Sequence, residues 1–231
     1  MANYANYRKN DIERNLEMVR FRPLDVLVVG GTGAGKSSTI NSLFATEVSK
    51  VGRGWNPETM DVTAHELNDT LRFWDSPGLG DGKEADKKHK KKLIDTLYED
   101  YYLEGGQYGL IDLVLVLVDG SNRDMGTVYS LLNDIIVPNF QADRILIAIN
   151  QADMAMKGKH WNEQLNCPDC VLSEFLEEKV DSIVVRVKEG TGIKVKKPVF
   201  YSAERNFHVQ ELMVLIIDSM PKERRKLVGQ Y

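Results

Sequence analysis

The sequence predicts an α/β protein with a mostly parallel six-stranded sheet and helices on both faces. Short apolar runs alternate with helical patterns along the 231 residues, and this alternation is typical of such sheets. Two runs, residues 113–118 and 145–149, contain no polar residue, so both of their faces are expected to be buried at the centre of the sheet. A glycine-rich loop directly follows the first predicted strand, at the edge where sheets of this kind bind ligands.

The remaining elements follow from the same patterns. Strands are predicted at residues 25–29, about 65–68, 71–74, 113–118, 144–149 and 198–201. A short polar helix is expected over residues 10–20, and another helix is expected to begin near Lys36. Apolar residues recur at helical spacing over residues 172–187, with acidic residues between them, which predicts an amphipathic helix. The last helix is predicted at about 209–219, because Pro221 prevents its continuation.

Composition excludes some classes of function. The formal net charge of −4 indicates neither general affinity for nucleic acid nor a strongly acidic role. The N-terminal residues lack the apolar core of a secretory signal, and no run approaches the roughly 18–20 apolar residues of a membrane-spanning helix. We therefore expect a cytoplasmic protein.

The two cysteines, Cys167 and Cys170, form a C-P-D-C segment. A zinc site would need two further ligands, and His160 is the only nearby histidine. A redox pair would normally follow a strand and open a helix, whereas this segment follows a polar stretch. A turn with two reduced thiols is therefore expected, and no metal site is predicted there.

The glycine-rich loop, residues 30–37, reads GGTGAGKS and has the spacing of a P-loop. Its backbone N–H groups and the following helix end would bind a phosphate chain. Lys36 would reach the β- and γ-phosphates, and the Ser37 hydroxyl would ligate Mg²⁺. The predicted phosphate-binding residues of this segment are Gly31, Thr32, Gly33, Ala34, Gly35, Lys36, Ser37 and Ser38. The loop does not distinguish ATP from GTP, since both carry the same phosphates.

Two further segments are predicted to complete the phosphate site. Asp75 and Gly78 lie in the sequence D-S-P-G after a predicted strand, where Asp75 can hold a water on Mg²⁺ and the Gly78 N–H can point at a γ-phosphate. The polar stretch 51–63 is expected to be mobile until a ligand orders it. Thr59 in that stretch is the candidate for closing over Mg²⁺ and the γ-phosphate, and Thr63 is the alternative. Either threonine is also compatible with an ordinary entry into a strand.

Residues that would recognise a base follow the last two strands of the predicted sheet. The Asp153 carboxylate can accept two hydrogen bonds, and guanine offers a ring N–H and an amine on one edge whereas adenine offers no such pair. Asp153 therefore selects guanine. The other predicted guanine-binding residues are Asn150 and Gln151, with Ser202, Ala203 and Glu204 after the last strand. Asn150 is expected to tie this loop to the phosphate loop.

Together these motifs resemble the translation-factor-related small GTPases, in particular the Era-like TrmE–Era–septin branch, over roughly residues 22–221. The resemblance implies a P-loop NTPase fold of the Ras-like G-domain type, with GTP and GDP as ligands, Mg²⁺ as cofactor and hydrolysis to GDP. The ligands of Mg²⁺ would be Ser37, Thr59 and Asp75, and the catalytic residues would be Lys36, Thr59 and Gly78. Residues 1–21 would then be an N-terminal helical extension and 222–231 a short basic tail. The RNA-binding KH domain of Era is not expected, so ribosomal RNA binding is not implied.

Two positions depart from the pattern of these GTPases. Gln151 stands where the family usually has lysine, so it is expected to keep the packing on the base without the charge. Leu79 stands where Ras-like proteins carry the glutamine that orients the attacking water. Slow intrinsic hydrolysis is therefore expected, with little acceleration by potassium, and Arg53 is a candidate charge stabiliser whose alternative is a solvated side chain.

The charged run at residues 83–92 follows the D-S-P-G segment. Such a run is usually a solvated helix face, and the alternative is contact of Lys87 to Lys92 with RNA, a membrane surface or an acidic protein. A nucleotide-dependent homodimer and a protein effector are further expected partners. The leading expectation is a GTPase switch. The alternatives are a GTP-dependent assembly protein with negligible hydrolysis and an ATPase.

Overall fold

The computed structural model describes residues 4, 6–19, 23–44, 63–80, 82–103, 106–122 and 125–227. The strands of this part of the chain are β1 Leu24–Gly30, β2 Thr63–Asn68, β3 Leu71–Asp75, β4 Asp100–Leu103, β5 Gly106–Gly109, β6 Leu113–Asp119, β7 Ile145–Asn150, β8 Trp161–Asn162, β9 Cys167–Pro168 and β10 Val199–Phe200. The α-helices are α1 Lys9–Val19, α2 Lys36–Phe44, α3 Lys83–Tyr98, α4 Gly126–Leu131, α5 Val137–Asn139, α6 Cys170–Thr191 and α7 Val209–Ile217, and two 3-10 helices span Ala142–Arg144 and Ala152–Gly158. A π-helical segment, Leu132–Ile136, joins α4 to α5.

Six strands form one sheet in the order β10-β7-β6-β1-β3-β2. All neighbours are parallel except β2, which pairs antiparallel with β3 at one edge. The register places Gly30 opposite Leu117, Val28 opposite Asp75, and Asp119 opposite Asn150. The carboxyl ends of β1, β3, β6 and β7 therefore meet at one edge, and the predicted six-stranded fold is confirmed.

The two faces of the sheet are covered by different helices. One hydrophobic cluster contains Val26 and Val28 of β1 with Ile40 of α2 and Leu212 of α7. The other contains Leu27 and Val29 of β1 with residues of α3, α4 and α6. Because neighbouring residues of β1 enter opposite clusters, every residue of β1 is buried. This burial explains why the central strands read as unbroken apolar runs.

Two hairpins were not predicted from the sequence. Strands β4 and β5 pair antiparallel, and β8 and β9 form a shorter antiparallel pair. The second hairpin places Cys167 in β9, and Cys170 is the first residue of α6. The C-P-D-C segment therefore joins a short strand to a helix, which was not predicted, although it does follow the exposed polar turn 163–166. Both thiols are free.

Local capping sets the ends of α6, which is longer than predicted. The Asp169 carboxylate accepts a hydrogen bond from the Leu172 N–H (3.0 Å), which satisfies one of the free amides of the first turn. Gly192 ends the helix with a φ of 76°, a conformation that glycine adopts without strain. These caps explain why the helix extends past the predicted range 172–187 at both ends.

The residues assigned to a short basic tail lie against the fold up to residue 227. Arg225 is 2% exposed, and its guanidinium donates to the carbonyl oxygens of Ile111 (2.7 Å) and Leu97 (2.5 Å). Burial lowers the pKa of Arg225 to about 10. The contact with Leu97 fixes the C-terminal end of α3. Within the described ranges, none of the helices combines the length and apolar character needed to cross a membrane.

Candidate functional site

The P-loop lies between the buried strand β1 and the first turn of α2. Gly33 and Gly35 have φ values of 80° and 81°, which a side chain would strain. A Cβ on Gly35 would also lie 2.2 Å from Nδ2 of Asn150. Lys36 is 9% exposed, and its ammonium donates to the carbonyl oxygens of Gly30 (3.3 Å) and Gly31 (3.1 Å). The loop therefore has the conformation and the lysine that a phosphate-binding loop requires.

The exposed side of the loop consists of small polar residues. Thr32, Gly33, Ser37 and Ser38 are exposed, whereas Ala34 is buried. Ser37 and Ser38 belong to the first turn of α2, whose backbone amides have no partners within the helix. Free amides and a positive helix end favour an anion at this position.

Ser37 and Asp75 are brought together as predicted. The Ser37 hydroxyl donates to Oδ2 of Asp75 at 2.7 Å, although the residues belong to α2 and β3. The other carboxylate oxygen of Asp75, Oδ1, is buried and has no hydrogen-bond partner. A buried, unsatisfied carboxylate oxygen beside a hydroxyl is a donor set that suits a hard cation such as Mg²⁺ and its water ligands. These residues therefore fit the predicted magnesium site.

The segment that contains Gly78 packs directly on the P-loop. The Thr32 N–H donates to the carbonyl oxygen of Leu79 (2.7 Å), and the Leu79 N–H donates to the carbonyl oxygen of Gly30 (3.4 Å). A Cβ on Gly78 would lie 2.6 Å from the Thr32 hydroxyl oxygen and 2.8 Å from its Cα. Glycine at position 78 is thus required for this close approach. The Leu79 side chain is 4% exposed and points into the second hydrophobic cluster.

Asn150 ties the loop after β7 to the phosphate loop, as the sequence predicted. It is 2% exposed, its amide donates to the Ala34 carbonyl (3.1 Å), and its carbonyl oxygen accepts from the Ala203 N–H (3.1 Å). Gln151 adds a second link, since its amide donates to the Gly33 carbonyl (2.6 Å). One strand end therefore holds both the phosphate loop and the loop after β10.

The Asp153 carboxylate is 6% exposed and lies beside that loop. Its Oδ2 is 3.6 Å from Nε of Arg205, and Arg205 also makes two hydrogen bonds to Glu163 of 2.8 and 2.9 Å. Ser202 is buried and its hydroxyl accepts from the Arg205 N–H (3.1 Å), whereas Glu204 is exposed. The predicted base-binding residues thus converge on one side of the P-loop.

Two predicted residues are not placed by the structure. Thr59 and Arg53 lie outside the described residues. The alternative residue, Thr63, is the first residue of β2, and its backbone pairs with Asp75. The order of Thr59 and Thr63 as metal-site candidates therefore stays as predicted.

Sequence reasoning missed three polar residues next to this site. Arg205 directly follows the predicted S-A-E segment, and its position in the chain was the available signal. Asp86 and His89 lie in the charged run that was expected to be a solvated helix face. Asp86 accepts from the Gly80 N–H (2.8 Å), and His89 donates from Nδ1 to the Gly78 carbonyl oxygen (2.7 Å). That face of α3 is thus bonded to the loop that contacts the P-loop.

Several lysines of the charged run lie at the surface. Lys87, Lys88 and Lys91 are exposed, and Lys90 lies 3.7 Å from the Asp134 carboxylate. Within the described ranges, no group of three or more His, Cys, Asp or Glu residues is arranged to hold a metal ion. The metal site proposed from Ser37 and Asp75 would accordingly rely on water and phosphate oxygens as further ligands.

Comparisons with known proteins agree with this geometry. The profile of a family described as 50S ribosome-binding GTPase matches residues 25–164. YfjP of Escherichia coli, an uncharacterized protein, is 27% identical over 197 residues, which cover 78% of this chain and 61% of that protein. Translocase of chloroplast 125 from Physcomitrium patens is 37% identical over 94 residues, covering 37% of this chain and 8% of that protein. The chain therefore covers less than two thirds of either relative.

A solved structure extends the similarity to the whole fold. Toc33 from Arabidopsis thaliana in complex with GDP and Mg²⁺ has a TM-score of 0.65 at 15% identity, over 96% of this chain and 94% of that one. A dimerization-deficient mutant of Toc33 has a TM-score of 0.60 at 14% identity, over 94% and 96% of the two chains. At such identities the likeness shows the fold alone, and membership of the Era-like branch stays a prediction. Because the family profile matches more than half of the sequence, this chain belongs to the 50S ribosome-binding GTPase family.

Proposed function

We propose that the protein binds GTP and GDP with Mg²⁺, hydrolyses GTP slowly to GDP and phosphate, and acts as a molecular switch in the cytoplasm. The observation that carries this proposal is the convergence of three segments at one sheet edge. The P-loop, the Asp75–Gly78 segment and the Asn150–Asp153 loop are joined by direct hydrogen bonds through Ser37, Thr32 and Asn150.

Each segment has a separate chemical role in the proposal. The amides of residues 31–38 and the Lys36 ammonium would hold the phosphates. Asp153 would accept from the two donors on the guanine edge, with Asn150, Gln151 and the backbone of residues 202–204 enclosing the base. Ser37 and Asp75 would hold Mg²⁺, with Thr59 as the proposed third residue. The bound metal would supply charge neutralisation at the phosphate oxygens.

Slow turnover is proposed because the side chain at position 79 cannot orient a water molecule. Leu79 is apolar, and its side chain is buried in the second hydrophobic cluster. The γ-phosphate would still be oriented by Lys36 and the Gly78 amide, so hydrolysis would proceed without a water-orienting side chain from this position.

The proposal is tested by competition binding of purified protein with a fluorescent GDP analogue. GTP and GDP are expected to displace the analogue, whereas ATP and ADP at the same concentration are not. Removal of Mg²⁺ by a chelator is expected to weaken GTP binding more than GDP binding, because the metal would neutralise the additional charge of the γ-phosphate. Displacement by ATP equal to that by GTP would overturn the assignment of guanine.

A second candidate function is a GTP-dependent assembly protein with negligible hydrolysis. The buried, apolar Leu79 favours this candidate, and the dimerization noted for Toc33 supports a homodimer as the assembled form. Turnover per molecule measured over a range of protein concentrations separates the two functions. A dimer-activated enzyme is expected to speed up with concentration, whereas an assembly protein shows no turnover while its sedimentation changes with GTP.

The partners other than nucleotide are proposals of lower rank. A protein effector is expected to bind one nucleotide state. Contact of Lys87–Lys92 with RNA or a membrane surface is not favoured, since the net charge is negative and Lys90 already faces Asp134. Partner binding that is lost in high salt would favour such contact, because basic patches act through screened electrostatic attraction.

A further inference from the structure

The segment from Gly78 to Gly80 is held from two sides. Its first peptide group, between residues 78 and 79, donates to Gly30 through the Leu79 N–H and accepts from His89 through the Gly78 carbonyl. Its second peptide group, between residues 79 and 80, accepts from the Thr32 N–H and donates to Asp86. Each peptide group therefore has one hydrogen bond to the P-loop side and one to α3.

The hydrogen bonds from Asp86 and His89 to residues 78–80, which we call the clamp, come from a helix that is itself anchored. Leu93 and Leu97 of α3 are 1% and 0% exposed, and the Leu97 carbonyl accepts a hydrogen bond from the buried Arg225. A helix fixed in this way cannot follow the loop without breaking buried contacts. Movement of residues 78–80 would therefore require the hydrogen bonds to Asp86 and His89 to be broken or remade.

The clamped conformation opposes a third phosphate. The Leu79 carbonyl oxygen accepts a hydrogen bond from the Thr32 amide of the phosphate loop. Gly78 packs so closely on Thr32 that no phosphate oxygen fits between them. A γ-phosphate would require the segment 78–80 to leave the P-loop, whereas a diphosphate would not.

We infer that Asp86 and His89 are positioning residues that hold the segment 78–80 against the P-loop and so set the preference for a nucleoside diphosphate over a triphosphate. This inference rests on the proposed function, because it concerns the same nucleotide site. The two side chains act through the backbone of residues 78 and 80 and do not touch the nucleotide. Their loss favours the triphosphate, since it destabilises only the conformation that the triphosphate must displace.

The test compares the dissociation constants of GDP and a non-hydrolysable GTP analogue, both with Mg²⁺, by titration calorimetry. His89→Ala removes one hydrogen bond of the clamp and is expected to lower the ratio of the analogue constant to the GDP constant by about two- to tenfold. His89→Asn is the matched rescue, because its amide can donate near the position of Nδ1, and it is expected to restore much of the wild-type ratio. Lys88→Ala, at an exposed position of the same helix, is the control and is expected to leave the ratio unchanged.

A second pair of variants tests the other hydrogen bond. Asp86→Ala is expected to lower the ratio as His89→Ala does, whereas Asp86→Asn keeps an acceptor for the Gly80 N–H and is expected to preserve it. Thermal unfolding of each nucleotide-free variant distinguishes a general loss of stability from a change in nucleotide preference. A general loss of stability would lower the melting temperature and weaken the binding of both nucleotides equally. An unchanged ratio in His89→Ala and Asp86→Ala, or a shift toward GDP, would overturn the inference. Failure of the wild-type protein to bind either nucleotide would instead overturn the proposed function.

Discussion

Substitution of Asp153 by asparagine is expected to convert a preference for guanine into a preference for xanthine. Guanine presents a ring N–H and an amine on the edge that the Asp153 carboxylate would accept. Asparagine has one acceptor and one donor group. Its donor group would face one of the two guanine donors, and that hydrogen bond would be lost. Xanthine carries a carbonyl oxygen in place of the amine, and that oxygen accepts from the introduced amide.

The size of the effect follows from the burial of this carboxylate. Asp153 is 6% exposed, so water cannot replace a lost hydrogen bond to the base. Hydrogen bonds to a charged group contribute about 1.5–3 kcal/mol each. Loss of one such bond and weakening of the other amount to about 3 kcal/mol, or a GDP affinity lower on the order of 100-fold.

The loop itself is expected to survive the substitution. Arg205, which lies 3.6 Å from Asp153, keeps its two hydrogen bonds to Glu163. Titration calorimetry with GDP, xanthosine diphosphate and ADP measures the change, and Asp181→Asn at an exposed position of α6 is the matched control. A GDP affinity unchanged by Asp153→Asn, or no gain for xanthosine diphosphate, would refute the role of this carboxylate.

Three further outcomes are expected. Leu79→Gln would bury an amide in the second hydrophobic cluster and is expected to lower the free energy of unfolding by about 1–3 kcal/mol without raising GTP turnover; faster single-turnover hydrolysis would contradict this. Burial, with a smaller contribution from the charge of Asp25, raises the pKa of Asp112 to about 8. The contribution of Asp112 to the free energy of unfolding is therefore fully present below about pH 4 and is lost as the pH rises through about 8. Urea denaturation should therefore show stability falling by at most about 1.4 kcal/mol per pH unit in that window, and a slope unchanged in Asp112→Asn would exclude this residue as its source. Potassium in place of sodium is expected to change turnover little, since Thr32, Gly33 and Ala34 offer no asparagine to the phosphate site, and a large potassium effect would refute that reasoning.

The sheet and the main site residues could be predicted because each depends on local sequence. Burial on both faces makes strands such as β6 and β7 unbroken apolar runs, and their observed bounds lie within a residue or so of the predicted ones. The carboxyl ends of parallel strands meet at one edge, so Asp75 and Asn150 were placed correctly relative to the P-loop without knowledge of any contact. The parallel topology of the sheet thus brings together residues that are far apart in the sequence.

The β8–β9 hairpin could not be predicted because its pattern is too short. Strands β8 and β9 have two residues each, which cannot display an alternation of apolar and polar side chains. Without this hairpin, the C-P-D-C segment was not expected to join a strand to a helix. The buried position of Arg225 could not be predicted for a different reason. An arginine in a basic run is usually solvated, and the burial of Arg225 depends on carbonyl groups more than one hundred residues away in sequence.

The charged run shows most clearly what a sequence pattern leaves open. Its lysines make a solvated face the favoured interpretation, and Lys87, Lys88 and Lys91 are indeed exposed. Asp86 and His89 occupy the same run but lie three residues apart, so they share one helix face, and this face meets the backbone of residues 78–80. One helix therefore presents an exposed basic surface and, on another face, the contacts proposed to set the nucleotide preference. Any partner that shifts α3 by binding its lysines would alter those two hydrogen bonds, and by linkage the nucleotide would alter the affinity for that partner to the same extent.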